Sequence, residues 1–198
     1  MNQPIGRRER KLQQTADKLV QTAWDLFEQQ GFEQVTMESI AETADVAKGT
    51  LYKHFPVKEA LLEQALHGEL QQQTPQLLDR LQKIPAGKLR MQTFFQISAD
   101  WSEQRRHYLP HYLVFRMRSG SRNRSGMEQI FKMLLKTGFE EGAFQSEQSI
   151  ESCVHYLSFL YLGALLRWLE RPGHSLTEEL KTMLELFLNG IQKKTNAQ

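Results

Sequence analysis

The chain has 198 residues, enough for one large or two small domains with a real apolar core. It is 40% apolar, and 25 Lys and Arg against 23 Asp and Glu leave a formal net charge of only +2. That balance excludes a charge-extended disordered chain and offers no bulk attraction for nucleic acid, and the single Cys153 excludes an internal disulfide framework.

Charge distribution says more than the total. Arg7, Arg8, Arg10 and Lys11 crowd the N-terminus with no apolar stretch behind them, so a signal peptide is not expected and a cytoplasmic location is. Leu12, Ala16, Leu19, Val20, Ala23 and Phe27 then stripe a first helix, with Gly31 placed to cap its end. Thr36 suits the N-cap of a short second helix carrying Ile40, Ala41 and Ala44, and a third runs from about Ala47 to His54. Leu61, Leu62, Ala65, Leu66 and Leu70 stripe a long fourth helix, which Pro75 is expected to kink or end.

Further helices are expected over Leu89–Trp101 and Tyr108–Met117, and a seventh carries Met127, Ile130, Phe131, Leu134 and Leu135 and is ended by Gly142. A polar loop over Ser119–Gly126 precedes the last of these. An eighth helix spans the very apolar Ile150–Leu169, and a ninth carries Leu180, Leu184, Phe187, Leu188 and Ile191. The apolar run from Tyr156 to Leu169 is broken by Arg167 and is too short for a bilayer, so no membrane partner is expected. Alternating strand patterns are almost absent. The expected fold is all-α, with about nine helices. A three-helix N-terminal domain, residues 1–56, is joined by the long fourth helix to a C-terminal domain, residues 57–198.

The segment Val35–Lys58 holds two short helices joined by a tight turn, the layout of a helix-turn-helix. In that motif the first helix crosses the DNA backbone and the second presents its N-terminal residues to base edges in the major groove. Small Ala47 and Gly49 permit close approach, Lys48 can donate to guanine, and the Thr50 hydroxyl or methyl can touch a base or phosphate. Tyr52, Lys53, His54 and Lys58 carry donors that suit phosphate oxygens, and Thr36 adds a hydroxyl at a helix start.

At Gly31-Phe32, Val35-Thr36, Ile40-Ala41, Val46, Gly49-Thr50-Leu51-Tyr52, His54-Phe55 and Lys58-Glu59, the chain resembles the TetR (tetracycline repressor) family of bacterial transcriptional regulators. The likeness covers roughly the first third. Two positions depart from the family's habit: Asp45 stands where glycine is usual in the turn, and Val57 stands where Ser or Asn commonly caps the fourth helix. The resemblance implies a homodimer on a palindromic double-stranded DNA operator. It also implies a C-terminal domain that holds a small-molecule effector and supplies the dimer contact, with the ligand tilting the fourth helix. A repressor without enzymatic activity or cofactor is the expected function, and the basic N-terminal arm is expected to add phosphate or minor-groove contacts.

Elsewhere the side chains point less sharply. Phe94, Phe95, Trp101, Tyr112, Phe115, Phe131, Tyr156 and Phe159 are candidates to line an apolar or aromatic ligand pocket, against ordinary core roles for each. Leu157, Leu160, Gly163, Ala164, Phe187, Leu188 and Ile191 are candidates for an intersubunit helix bundle, with internal packing as the rival. His107 and His111 lie four apart, but no cluster completes a metal site, so none is expected. The competing functional classes are a helical carrier or enzyme that keeps the helix-turn-helix as scaffold, and a regulator without a ligand.

Overall fold

Helical periodicity is realised along the chain in the computed structural model, which describes residues 6–119 and 126–191, side chains through residue 189. Nine helices lie among the described residues: α1 (Arg7–Gln30), α2 (Met37–Thr43), α3 (Lys48–His54), α4 (Lys58–Gln82), α5 (Gly87–Gln104), α6 (Leu109–Ser119), α7 (Met127–Glu140), α8 (Ile150–Leu169) and α9 (Leu176–Ile191). The loop expected over Ser119–Gly126 lies outside the described residues except at its ends.

Packing divides the chain into two units, residues 6–73 with 111–119 and residues 74–110 with 126–191. The cuts fall inside α4 and α6, whose residues through Gln73 and from His111 on cluster with the N-terminal helices. α4 does not end at Pro75. It runs seven residues further, to Gln82, with the proline inside it. Pro75 and Gln71, whose carbonyl loses its partner at the proline, are both exposed, so water can satisfy that oxygen.

In the first unit Leu19, Phe27, Ile40, Leu51, Leu61 and Leu66 are fully buried, each stabilising the fold by about 1.5–3 kcal/mol. One polar cluster is buried with them. His67 on α4 is 6% exposed, and its Nε2 lies 2.9 Å from the Tyr112 hydroxyl and 3.2 Å from Arg116 Nη1, both on α6. Arg116 also donates to the Tyr112 oxygen at 3.0 Å. Burial first, and the Arg116 charge second, push the His67 pKa down to about 4, so the ring is neutral. Nε2 then accepts, which places the ring proton on Nδ1.

In the second unit α5 packs on α7 and α9, and α8 packs on α7 and α9. Phe94, Phe95, Phe131 and Tyr161 meet ring to ring, with centroids 5.2–6.0 Å apart. The Tyr161 hydroxyl sits 2.7 Å from Ser98 Oγ, and burial raises its pKa. Buried Arg90 ties the α4–α5 turn down. It donates to the carbonyls of Leu81 and Ile84 and pairs with both Glu141 oxygens at 2.8 and 3.2 Å. Gly138 lies so close to the Phe144 ring that any side chain there would collide with it. The N-terminus of α9 is capped from α5, where Glu103 accepts from the Leu176 N–H at 2.7 Å. No described helix is long and apolar enough to cross a membrane.

Candidate nucleic-acid interface

Local hydrogen bonds hold both ends of α2. Thr36 Oγ accepts from the Ser39 N–H and Ser39 Oγ accepts from the Thr36 N–H, both at 3.1 Å, a reciprocal cap on α2. At the other end Asp45 adopts φ 51, the left-handed region normally left to glycine. The Asp45 N–H bonds Glu42 O at 3.0 Å and the Val46 N–H bonds Ala41 O at 2.9 Å, the paired bonds of a Schellman turn. Aspartate thus closes this turn in the conformation usually left to glycine.

α3 is divided lengthwise. Leu51 points inward with 0% exposure, against a core that includes Ile40 and Ala44, also at 0%. Outward lie Ala47, Lys48, Gly49, Tyr52 and Lys53, all exposed, with Thr50 and His54 at the margin. A Cβ at Gly49 would meet nothing within 4 Å, so that stretch of backbone is open to an incoming surface. Seven of the nine candidate contact residues therefore lie on one short helix and its cap.

Thr36 and Lys58 stand apart. Thr36 is exposed, but its hydroxyl oxygen is engaged as the α2 cap. Lys58 is half-buried, not an outward donor. Its ammonium donates to the carbonyls of Phe32 at 2.8 Å, Val35 at 3.2 Å and Glu33 at 3.4 Å, and sits 4.4 Å from the centre of the Phe32 ring. It braces the loop between α1 and α2, because those carbonyls follow a helix end and need donors.

A side chain not anticipated from the sequence joins the crossing and reading helices. Glu38 Oε1, on α2, accepts from the Tyr52 hydroxyl at 3.3 Å and lies 4.0 Å from Lys48 Nζ. The Tyr52 pKa is raised by desolvation and by this carboxylate. In the sequence Glu38 is one acid among several, and nothing in its spacing marks it.

The basic N-terminal residues are helical rather than an arm, since α1 begins at Arg7. Arg7, Arg8, Lys11, Leu12 and Thr15 of α1, with Thr50 and His54 of α3, line a shallow groove of about 440 Å³. Arg10 is exposed on α1 and does not line the groove.

The ligand and dimer candidates separate by burial. Phe94, Phe95 and Phe131 belong to the second unit's aromatic core. Trp101 carries the Arg105 guanidinium 4.6 Å from its ring centre, and its Nε1 is buried without a hydrogen-bond partner. Tyr112 belongs to the His67 cluster of the first unit, and Phe115 is half-buried there. Tyr156 and Phe159 are 65% and 61% exposed on α8, so they line no interior. Helical spacing alone does not choose which face of an apolar helix turns outward. Of the dimer candidates, Leu157, Ala164, Phe187 and Leu188 are buried in their own unit, whereas Leu160 and Gly163 are exposed; the Ile191 side chain lies outside the described residues. Tyr156, Phe159, Leu160, Gly163 and Leu166 form one exposed, largely apolar α8 face. His111 stacks on Phe32 at 4.3 Å and pairs with Glu33 at 3.3 Å, and no group of three or more metal-ligating side chains occurs among the described residues.

The sequence profile described as "Bacterial regulatory proteins, tetR family" matches residues 19–65. Over 54 residues the chain is 46% identical to the HTH-type transcriptional regulator TcmR of Streptomyces glaucescens, covering 27% of this chain and 24% of that protein. Over 196 residues it is 24% identical to the HTH-type transcriptional repressor KstR2 of Rhodococcus jostii, covering 90% and 92%. Among solved structures it resembles Thermus thermophilus FadR, a TetR-family transcriptional repressor in complex with lauroyl-CoA. The TM-score is 0.76 and the identity 24%, over 92% of this chain and 98% of that one, a likeness of fold.

Proposed function

We propose that this chain, whose residues 19–65 match the tetR family of bacterial regulatory proteins, is a cytoplasmic transcriptional repressor that binds a palindromic operator as a dimer and is released by an apolar small molecule. The observation that carries the reading is α3 itself. Leu51 anchors its inner face, while Lys48, Gly49, Tyr52 and Lys53 face solvent on a helix fixed by a capped partner and a closed turn. Lys48 is the candidate for a base edge, and Tyr52, Lys53 and His54 for phosphates. The α1 cations around the groove supply further phosphate contacts beside the reading helix. Thr36 and Lys58 serve by holding α2 and the α1–α2 loop.

The exposed α8 face supports pairing of two copies, and a palindromic operator calls for reading helices about 34–36 Å apart, one helical turn of DNA. The buried Trp101 Nε1, which has no hydrogen-bond partner, supports an effector that carries a hydrogen-bond acceptor. Similarity to a repressor complexed with lauroyl-CoA makes a long-chain acyl-CoA the first effector to test.

Selection of bound duplexes from a random pool tests the DNA reading. A palindrome with half-sites about one turn apart is expected, and an unselected pool would refute it. Fluorescence anisotropy of the recovered duplex with lauroyl-CoA then tests the effector class. Release is the expected result, and undiminished binding at saturating lauroyl-CoA rejects acyl-CoA.

A further inference from the structure

Glu38 is a carboxylate on a surface that, on the reading above, must approach phosphates. The fold gives it little to do. The α2 N-terminus is already capped by Thr36 and Ser39, and the Glu38 side chain is 51% exposed. What it does touch are two outward residues of the reading helix, Tyr52 at 3.3 Å and Lys48 at 4.0 Å, one helical turn apart. A single oxygen on the crossing helix therefore meets the two residues with most to offer a base edge or a phosphate.

We propose that Glu38 is a specificity-determining residue: it tethers Lys48 and Tyr52 in the free protein and penalises binding to DNA that lacks the operator sequence. Binding to arbitrary DNA is driven by cations meeting phosphates. When Lys48 turns to a phosphate it abandons Glu38, and an unpaired carboxylate is left against a polyanion. On the operator Lys48 meets a base edge while remaining beside Glu38, so the carboxylate is not left to face the phosphates without its cation. The cost thus falls on wrong sequences more than on the right one, as repulsion used for specificity requires.

The test rests on the DNA-binding reading and compares Glu38→Gln with Glu42→Gln, which removes the same charge from an exposed residue of the same helix. Affinities are measured at matched salt for the duplex recovered by selection and for a random-sequence duplex of equal length. Glu38→Gln is expected to raise random-duplex affinity about tenfold and operator affinity no more than threefold, so the ratio falls. Glu42→Gln is expected to move both affinities by one common factor. An unchanged ratio in Glu38→Gln, whether both affinities rise together or neither moves, overturns the proposal. A wild-type protein that prefers no duplex refutes the DNA reading itself, before any variant is made.

Discussion

The two units solve opposite surface problems. The first shows cations and a bare glycine along α3, and its exposed apolar residues, Leu12, Val57, Val114 and Met117, lie on several different elements. The second packs its aromatics inside yet leaves Tyr156, Phe159, Leu160 and Leu166 in solvent on α8. A cationic, close-approach face fits a polyanion, and a contiguous apolar face fits a second copy of the same chain. What each unit exposes is therefore more informative about its partner than what it buries.

The sharpest way to break this contrast is to strip the outward face of α3. Lys48→Ala combined with Tyr52→Ala is expected to weaken operator binding at least about 30-fold, at about 1–3 kcal/mol per lost contact, with helical content unchanged by circular dichroism. Equal anisotropy curves for variant and wild type would show that α3 is not the reading element. On the second unit, Leu160→Glu places a charge on the exposed α8 face and is expected to give folded monomers by sedimentation. Phe187→Glu, only 6% exposed, is expected instead to unfold the protein by several kcal/mol, because the charge is buried without a partner. If Leu160→Glu remains dimeric, the interface lies elsewhere.

A subtler change separates fold from function within α3. Gly49→Ala adds a methyl that meets nothing in the protein and improves helix propensity by up to about 1 kcal/mol. Its melting temperature is expected to hold or rise while operator affinity falls about tenfold. Undiminished affinity would mean that the α3 backbone does not approach DNA at that point.

The smallest effect is a matter of pH. The His67 pKa is lowered to about 4, whereas the unfolded chain's histidine takes up its proton near 6.5. The unfolded state therefore binds the extra proton in that window, and stability falls as pH drops from about 6.5 towards 4. His67→Gln is expected to flatten this decline between urea midpoints at pH 7 and pH 5. An unaltered slope would remove His67 as its source.

How much of this was legible in the chain follows from the kind of constraint at each position. Gly31 and Asp45 could be read because each occupies a backbone geometry few residues satisfy, at φ 82 and φ 51, and Thr36 because a helix N-cap favours a side-chain oxygen. The outward set on α3 could be read because small and cationic residues there have no core role. The bracing by Lys58 could not be read, since a lysine that donates to carbonyls looks the same in sequence as one that meets phosphate. Glu38 was invisible because its partners lie 10 and 14 residues away on another helix, and the His67 cluster because α4 and α6 are distant in the chain. In the second unit α8 is apolar on nearly every face, so periodicity could not assign Tyr156 and Phe159 to the surface or Leu157 to the core.

The central claim is that the outer face of α3 reads base sequence. Repeating the random-pool selection with Lys48→Ala tests it most directly. The account predicts that base preference disappears at one symmetric pair of positions while the spacing of the half-sites is kept. A consensus identical to that of the wild type would contradict it.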